Sequence, residues 1–141
     1  MLKFLLPTDG SENACKAIRK AIEMMDWYKT EPELHLLNVQ RPLDGNIALF
    51  INQNDIKQYH HEEGMKCLQK PFSILDQSGK QYKHHITIGD PAEQIERFAE
   101  ELHCELIIIS ARGHGAIKNL LLGSVVNKVM QYASKPVLLV K

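Results

Sequence analysis

The chain alternates between short apolar runs and longer amphipathic segments. Lys3–Pro7, Leu34–Val39 and Leu106–Ile109 are continuous apolar runs, which are typical of strands covered on both faces. Tyr82–Ile88 alternates apolar and polar residues, and Val137–Val140 is a short apolar run near the C-terminus. These patterns predict five strands.

Amphipathic segments separate the predicted strands. Apolar residues recur at three- and four-residue steps across Glu12–Asp26, which predicts a helix with one buried face. A second helix is expected to be capped by Asp55, and Pro71 should kink or split it, because a proline inside a helix costs about 3 kcal/mol. The preceding stretch, Gln40–Asn54, is interpreted as a long connection.

Two further helices are predicted in the second half of the chain. Asp90 at an N-cap with Pro91 behind it marks one helix start, and Ser124–Ala133 carries an apolar stripe. The order is then strand and helix four times, followed by a fifth strand. Such alternation predicts one α/β domain over residues 1–141, with a doubly wound parallel sheet and helices on both faces.

Composition narrows the possible functions. The 141 residues include 17 Lys and Arg against 17 Asp and Glu, so the chain lacks the basic surface of a general nucleic-acid binder. Its apolar runs are too short to span a bilayer, so no membrane association is expected. The three cysteines are widely spaced and form no CxxC motif, which favours a reduced, cytoplasmic setting.

Two loops that follow predicted strands carry the candidate chemistry, because ligands of open parallel sheets bind beyond the carboxyl ends of the strands. One is Thr8–Ser11, and the other runs from Ser110 to Gly123 and Ser124. Its glycines permit close approach of a ligand, and the following helix offers unpaired N–H groups to an anion. Spacing alone supports a phosphate cradle and a simple glycine turn equally well. The cationic residues of this loop are Arg112, His114 and Lys118.

Four motifs, in order along the chain, resemble those of the universal stress proteins. The glycine loop of that family reads G-x2-G-x9-G-[ST], and Ser110–Gly113, nine further residues and Gly123-Ser124 keep this spacing. Only Gln40–Ser78 matches poorly. The other three motifs are Leu6–Ser11, Gly89–Ala92 and Lys135–Val140.

The resemblance implies a Rossmann-like sheet of five strands in the order 3-2-1-4-5, with ATP and its Mg²⁺ between strands 1 and 4. By that resemblance Asp9 accepts hydrogen bonds from the ribose or adenine side, and Val39 meets adenine through its backbone. The glycine loop would hold ribose and phosphates, mainly through main-chain N–H groups. The implied nucleotide-binding residues are Pro7, Thr8, Asp9, Val39, Ile109, Ser110, Arg112, Gly113, His114, Gly123, Ser124 and Val125.

Ser110 departs from the family pattern, because it stands where the first glycine is found. If that position needs a left-handed backbone, a side chain costs about 1–2 kcal/mol, or about tenfold in affinity. A serine hydroxyl could instead donate to a phosphate. We favour retained ATP binding in a stress-response regulator, with at most slow ATP hydrolysis. The alternative is a nucleotide-free dimer that acts through contacts with a protein partner.

The last strand raises the question of self-association. In the order 3-2-1-4-5 it is an edge strand, and an exposed apolar edge invites pairing. Pairing with a second copy would give a twofold homodimer, whose predicted interface residues are Val137, Leu138, Leu139 and Val140. The alternative is that Gln40–Asn54 or the C-terminal carboxylate covers this edge.

The sequence offers weaker support for two other classes of site. A phosphoryl-receiver domain would use Asp9, Asp90, Ser110 and Lys141, but Asp9 stands alone where a receiver needs an acidic pair for Mg²⁺. The histidine pairs His60-His61 and His84-His85 cannot each share a metal, because neighbouring side chains diverge on a helix and on a strand. No metal site formed by the protein is therefore expected.

Overall fold

A computed structural model describes residues 1–114 and 122–141. Within these residues, five strands form one all-parallel sheet in the order β3-β2-β1-β4-β5. The strands are β1 Lys3–Pro7, β2 Glu33–Gln40, β3 Tyr82–Ile88, β4 Leu106–Ser110 and β5 Val137–Val140. The predicted fold class and strand order are confirmed.

Helices cover both faces of this sheet. Helices α1 (Glu12–Met25) and α3 (Gln53–Ser78) share one apolar core with the sheet. Helices α4 (Pro91–Glu101) and α5 (Ser124–Tyr132) share the other. Strand β1 shows why: Phe4 and Leu6 face α1 and α3, Leu5 faces α4 and α5, and all three are buried. The remaining described helix is α2, Gly45–Ala48.

Helix α3 differs from its prediction in two respects. Asn52, not Asp55, is the N-cap, and its side-chain oxygen accepts the Asp55 N–H at 2.9 Å. Pro71 lies inside the helix without splitting it. Buried packing on the sheet outweighs the hydrogen bond that Pro71 cannot donate to the carbonyl of Cys67, four residues earlier.

The segment between β2 and α3 is also more ordered than predicted. It contains α2, whose N-cap Asp44 accepts the Asn46 N–H at 2.9 Å. Among the described residues, no helix is long and apolar enough to cross a membrane.

Candidate functional site

A cavity of about 360 Å³ opens where the carboxyl ends of β1 and β4 meet. Strands β1 and β4 are neighbours in the sheet, and each is followed by one of the two loops that the sequence singled out. Every residue predicted for the nucleotide site lines this one cavity. The structure thus brings together residues that are more than a hundred positions apart in the sequence.

The sequence prediction missed part of the cavity wall. Leu37 could have been found, because it precedes Val39 by two residues and so shares its face of β2. Arg41 follows the carboxyl end of β2, where a ligand-binding residue is to be expected. The missed lining residues are Ala14, Leu37, Arg41, Pro91, Ile95 and Val126.

The cavity has an apolar side and a polar side. Leu37 and Val39 of β2 form the apolar side together with Ile95 of α4 and Val126 of α5. The polar side consists of the loop after β1, the loop after β4 and the first residues of α5. This division suits a ligand with a flat apolar part and an anionic part.

Hydrogen bonds hold the loop after β1 in place. The Thr8 N–H donates to Leu37 O at 2.9 Å, and the buried Asn38 side chain donates to Thr8 O at 2.9 Å. The Ser11 hydroxyl accepts the Ala14 N–H at 3.1 Å and caps α1. The backbone around Asp9 is therefore fixed from both β2 and α1.

Gly10 allows this loop to pack closely against α3. Its φ of +81° lies in the left-handed region, and a β-carbon there would come within 2.2 Å of Cys67 O. That carbonyl is the one to which Pro71 cannot donate. Loop and helix therefore meet at a place where only glycine fits.

Asp9 bridges the two loops. Its Oδ1 accepts the Ser11 N–H at 2.9 Å, and its Oδ2 accepts the His114 N–H at 2.9 Å. His114 Nε2 lies 3.1 Å from Asp9 O. Gly113 is needed beside this bridge, because a β-carbon there would lie 2.3 Å from Asp9 Oδ2.

Ser110 shows no backbone strain. It is the last residue of β4, and among the described non-glycine residues only His103 has a positive φ. Position 110 therefore does not need a left-handed backbone, and its side chain costs no affinity through backbone strain. The hydroxyl donates to Arg112 O at 2.7 Å, so in this structure it shapes the loop.

The N-terminus of α5 faces the cavity without a side-chain cap. Gly123 is the N-cap and has an ordinary φ of −72°. Its N–H donates to Ala111 O at 2.8 Å, while Ser124 and Val125 line the cavity. Because the N-cap, Gly123, has no capping side chain, the N–H groups of this first helical turn make it an attractive position for an anion.

The observed topology excludes the phosphoryl-receiver alternative. Receiver domains of the flavodoxin-like type have the order 2-1-3-4-5, whereas this sheet has the order 3-2-1-4-5. Asp90 caps α4 by accepting the Glu93 N–H, which lowers the pKa of its carboxyl group, with Lys128 adding to the effect. It does not line the cavity.

The remaining sequence predictions concern the histidine pair on β3, metal ligands and the rest of the glycine loop. His84 and His85 lie on opposite faces of β3, as predicted, because His84 packs on Phe72 of α3 and His85 on Phe98 of α4. In the part of the chain that the structure describes, no group of three potential metal ligands is placed to hold an ion. The loop residues Gly115, Lys118, Leu120 and Leu121 lie outside the described residues.

Comparison with known proteins identifies the family. The model of the universal stress protein family matches residues 1–141. The chain belongs to the universal stress protein family. Universal stress protein YxiE of Bacillus subtilis is 31% identical over 151 residues, covering 99% of this chain and 98% of YxiE.

Solved structures of relatives have the same fold. The structure of protein MJ0577 superposes with a TM-score of 0.84 at 31% identity, covering 99% of this chain and 95% of that one. Universal stress protein MJ0577 comes from Methanocaldococcus jannaschii. A universal stress protein from Archaeoglobus fulgidus in complex with dAMP has a TM-score of 0.72 at 22% identity, covering 100% and 98%. The crystal structure of a universal stress protein in complex with cAMP has a TM-score of 0.71 at 20% identity, covering 99% of this chain and 97% of that one.

Proposed function

We propose that this universal stress protein binds an adenine nucleotide, ATP with its Mg²⁺, in the cavity between β1 and β4. The observation that carries the proposal is the pairing of an apolar wall with the uncapped N-terminus of α5 in one cavity. Universal stress proteins of the same fold form complexes with dAMP and cAMP, which supports an adenine nucleotide as the ligand class.

The cavity suggests how the parts of the ligand are distributed. The base would lie along Leu37 and Val39, where the cavity wall is apolar. The main chain at the carboxyl end of β2 lies beside this part of the wall. The phosphates would lie at the opposite end, against Gly113 and the first turn of α5, because that end supplies N–H donors. Asp9 lies on the β1 side, where its remaining lone pairs can accept ribose hydroxyls.

Two cations complete the proposed site. Arg112 follows β4 and Arg41 follows β2, so they stand on either side of the end of β1. Mg²⁺ would be held by the phosphates, since it prefers oxygen ligands and keeps several waters. We assign no protein ligand to the Mg²⁺. Our proposal is that the nucleotide-bound protein acts as a regulatory module in the stress response.

We also propose a cytoplasmic homodimer that pairs through β5. In the described sheet β5 has a neighbour on one side, β4, and its four residues are partly exposed. A second copy would cover this edge and leave the cavity of each chain accessible. The dimer could then present its nucleotide state to a further protein partner.

A thermal-melt titration tests the ligand class. Mg-ATP at about 100 times its Kd should add about 2.7 kcal/mol to the free energy of unfolding, which is a rise of several degrees in a domain of this size. Mg-GTP is the control, and it should give a smaller rise. No shift at millimolar Mg-ATP, in protein that carries no co-purified nucleotide, would favour the nucleotide-free dimer instead.

A further inference from the structure

We propose that His114 is a positioning residue, which clasps Asp9 and so holds one arm of the nucleotide cradle in place. The arm is defined as residues 110–114, which connect the end of β4 to the cavity mouth. The inference rests on the proposed function, because it states how the phosphate end of that site is kept in shape.

The clasp consists of two reciprocal contacts. The carboxylate of Asp9 accepts the backbone N–H of His114, and the ring of His114 reaches back to the backbone carbonyl of Asp9. Since a carbonyl oxygen only accepts, Nε2 of His114 must carry the hydrogen. The side chain of Asp9 is therefore bonded to the main chain of His114, and the side chain of His114 is bonded to the main chain of Asp9.

The clasp ties the arm to the loop after β1, while the Ala111 N–H ties it to Val140 O of β5. On the α5 side the arm is held by the Gly123 N–H, which donates to Ala111 O. Within the arm, the Ser110 hydroxyl donates to Arg112 O. Asp9 supplies the attachment to β1, so the clasp sets how far Gly113 lies from the first turn of α5.

Gly113 shows how closely the two loops approach. A β-carbon at this position would lie 2.3 Å from Asp9 Oδ2, so any side chain here would displace the carboxylate. Gly113 has no φ in the left-handed region, so its requirement comes from the clasp rather than from the backbone conformation.

The clasp gives His114 a role different from that of a cation. A histidine that attracted phosphates by its charge would need a ring turned toward the ligand, and a neutral substitute would not replace it. Here the ring nitrogen is directed to Asp9, so a neutral amide donor of similar reach should suffice. The two roles are separated by the choice of substitution.

The test compares His114→Leu with His114→Gln by calorimetric titration. His114→Leu removes the ring donor, and we expect about five- to tenfold weaker binding of Mg-ATP, or about 1–1.4 kcal/mol. Adenosine should bind both variants and the wild type within about twofold, because it has no phosphate to be positioned. His114→Gln should bind Mg-ATP within about twofold of the wild type, since its amide can donate to Asp9 O.

Three outcomes decide the matter. Equal Mg-ATP affinity of His114→Leu and wild type, or equal loss in His114→Gln and His114→Leu, would overturn the positioning role while leaving the proposed function intact. A wild type that binds neither Mg-ATP nor adenosine would overturn the proposed function as well. Melting temperatures check that the exposed substitution leaves the fold unchanged.

An NMR experiment reads the clasp without nucleotide. Nitrogen shifts of the His114 ring should show the Nε2–H tautomer in the wild type, and Gly113→Ala should change them, because its methyl group displaces the Asp9 carboxylate. A ring that exchanges freely between tautomers in the wild type would contradict the clasp.

Discussion

At the level of single residues, three glycines in or beside the site serve different purposes. Gly10 has a left-handed backbone and touches Cys67 O, and Gly113 leaves room for the Asp9 carboxylate. Gly123 has an ordinary backbone, and a β-carbon on it would meet its nearest atom, Ala111 O, at 3.7 Å. The folded protein therefore has room for a methyl group at Gly123 alone of the three.

Gly10→Ala should destabilise the fold. The left-handed conformation costs a side chain about 1–2 kcal/mol, and the contact with the Cys67 carbonyl adds to this. Chemical denaturation measures the loss as a lower midpoint. Gly45→Ala is the matched control, because nothing lies within 4 Å of its β-carbon position. Equal midpoints for the two variants would refute the tight contact between loop and α3.

Ser110→Gly should leave ATP binding equal or weaker. Ser110 is in a strand conformation, so there is no strain for glycine to relieve, and the variant loses the hydrogen bond to Arg112 O. Glycine in a strand also costs about 0.5–1 kcal/mol of stability. Titration with Mg-ATP checks the affinity, and a clear gain would show that strain at this position does limit binding.

At the level of elements, β2 and β3 carry a chain of polar side chains that is centred on the buried His35. His35 Nε2 lies 2.5 Å from Glu33 Oε1, and His35 Nδ1 lies 2.9 Å from His85 Nε2. Because the carboxylate only accepts, His35 donates to Glu33 and accepts from His85. Burial lowers the pKa of both histidines, although Glu33 partly opposes this at His35.

Acidification should therefore weaken the fold. Both histidines have a pKa below the usual 6.5, so the unfolded chain binds protons first, and stability falls as the pH drops below about 6.5. The hydrogen bond from His35 lowers the pKa of Glu33, which extends the loss below pH 4.5. Urea unfolding between pH 7.5 and 5 measures this slope.

His85→Gln is the informative variant for that measurement. Glutamine removes one titrating group but can still donate to His35 Nδ1, so its stability should depend less steeply on pH than that of the wild type. His61→Gln, an exposed histidine on α3, serves as the control and should keep the wild-type slope. Identical slopes for all three proteins would contradict the assignment.

The fold was largely predictable, because each element has its own local signal. Apolar runs marked the strands, and the Asp90 cap with Pro91 marked the start of α4. The α3 boundary was missed because Asn52 and Asp55 both suit an N-cap and tertiary packing decides between them. The predicted alternative of a split at Pro71 was wrong for the same reason, since Pro71 is buried against other parts of the chain.

The lining of the cavity was predictable from loops and resemblance, but its internal contacts were not. Asp9 and His114 are 105 residues apart, and no periodicity links them. Arg41 reaches the cavity only because β2 lies beside β1 in the sheet. Contacts of this kind depend on strand order, which the residues alone did not supply.

At the level of the whole molecule, the β5 edge predicts the oligomeric state. Pro136 O accepts the N–H of Ile107 in β4, and Val140 O accepts the N–H of Ala111, which directly follows β4. The alternation of a parallel ladder therefore directs the N–H of Leu139 away from β4. Leu139→Pro removes that outward donor and should shift the proposed dimer toward monomer in analytical ultracentrifugation. Leu139→Ala, which also shortens the side chain but keeps the N–H, should remain more dimeric. Equal association of both variants would place the interface elsewhere.

The most direct test of nucleotide binding is calorimetric titration of nucleotide-free wild type and Gly123→Ala with Mg-ATP. The wild type should bind one nucleotide per chain. Gly123→Ala should still fold, because the folded protein has room for the methyl group, and its melting temperature should fall only by the effect of a poorer N-cap. It should lose about tenfold or more in affinity, because the phosphates need close approach to this turn. A wild type that does not bind, or a variant that binds as tightly, would contradict a nucleotide cradle at the N-terminus of α5.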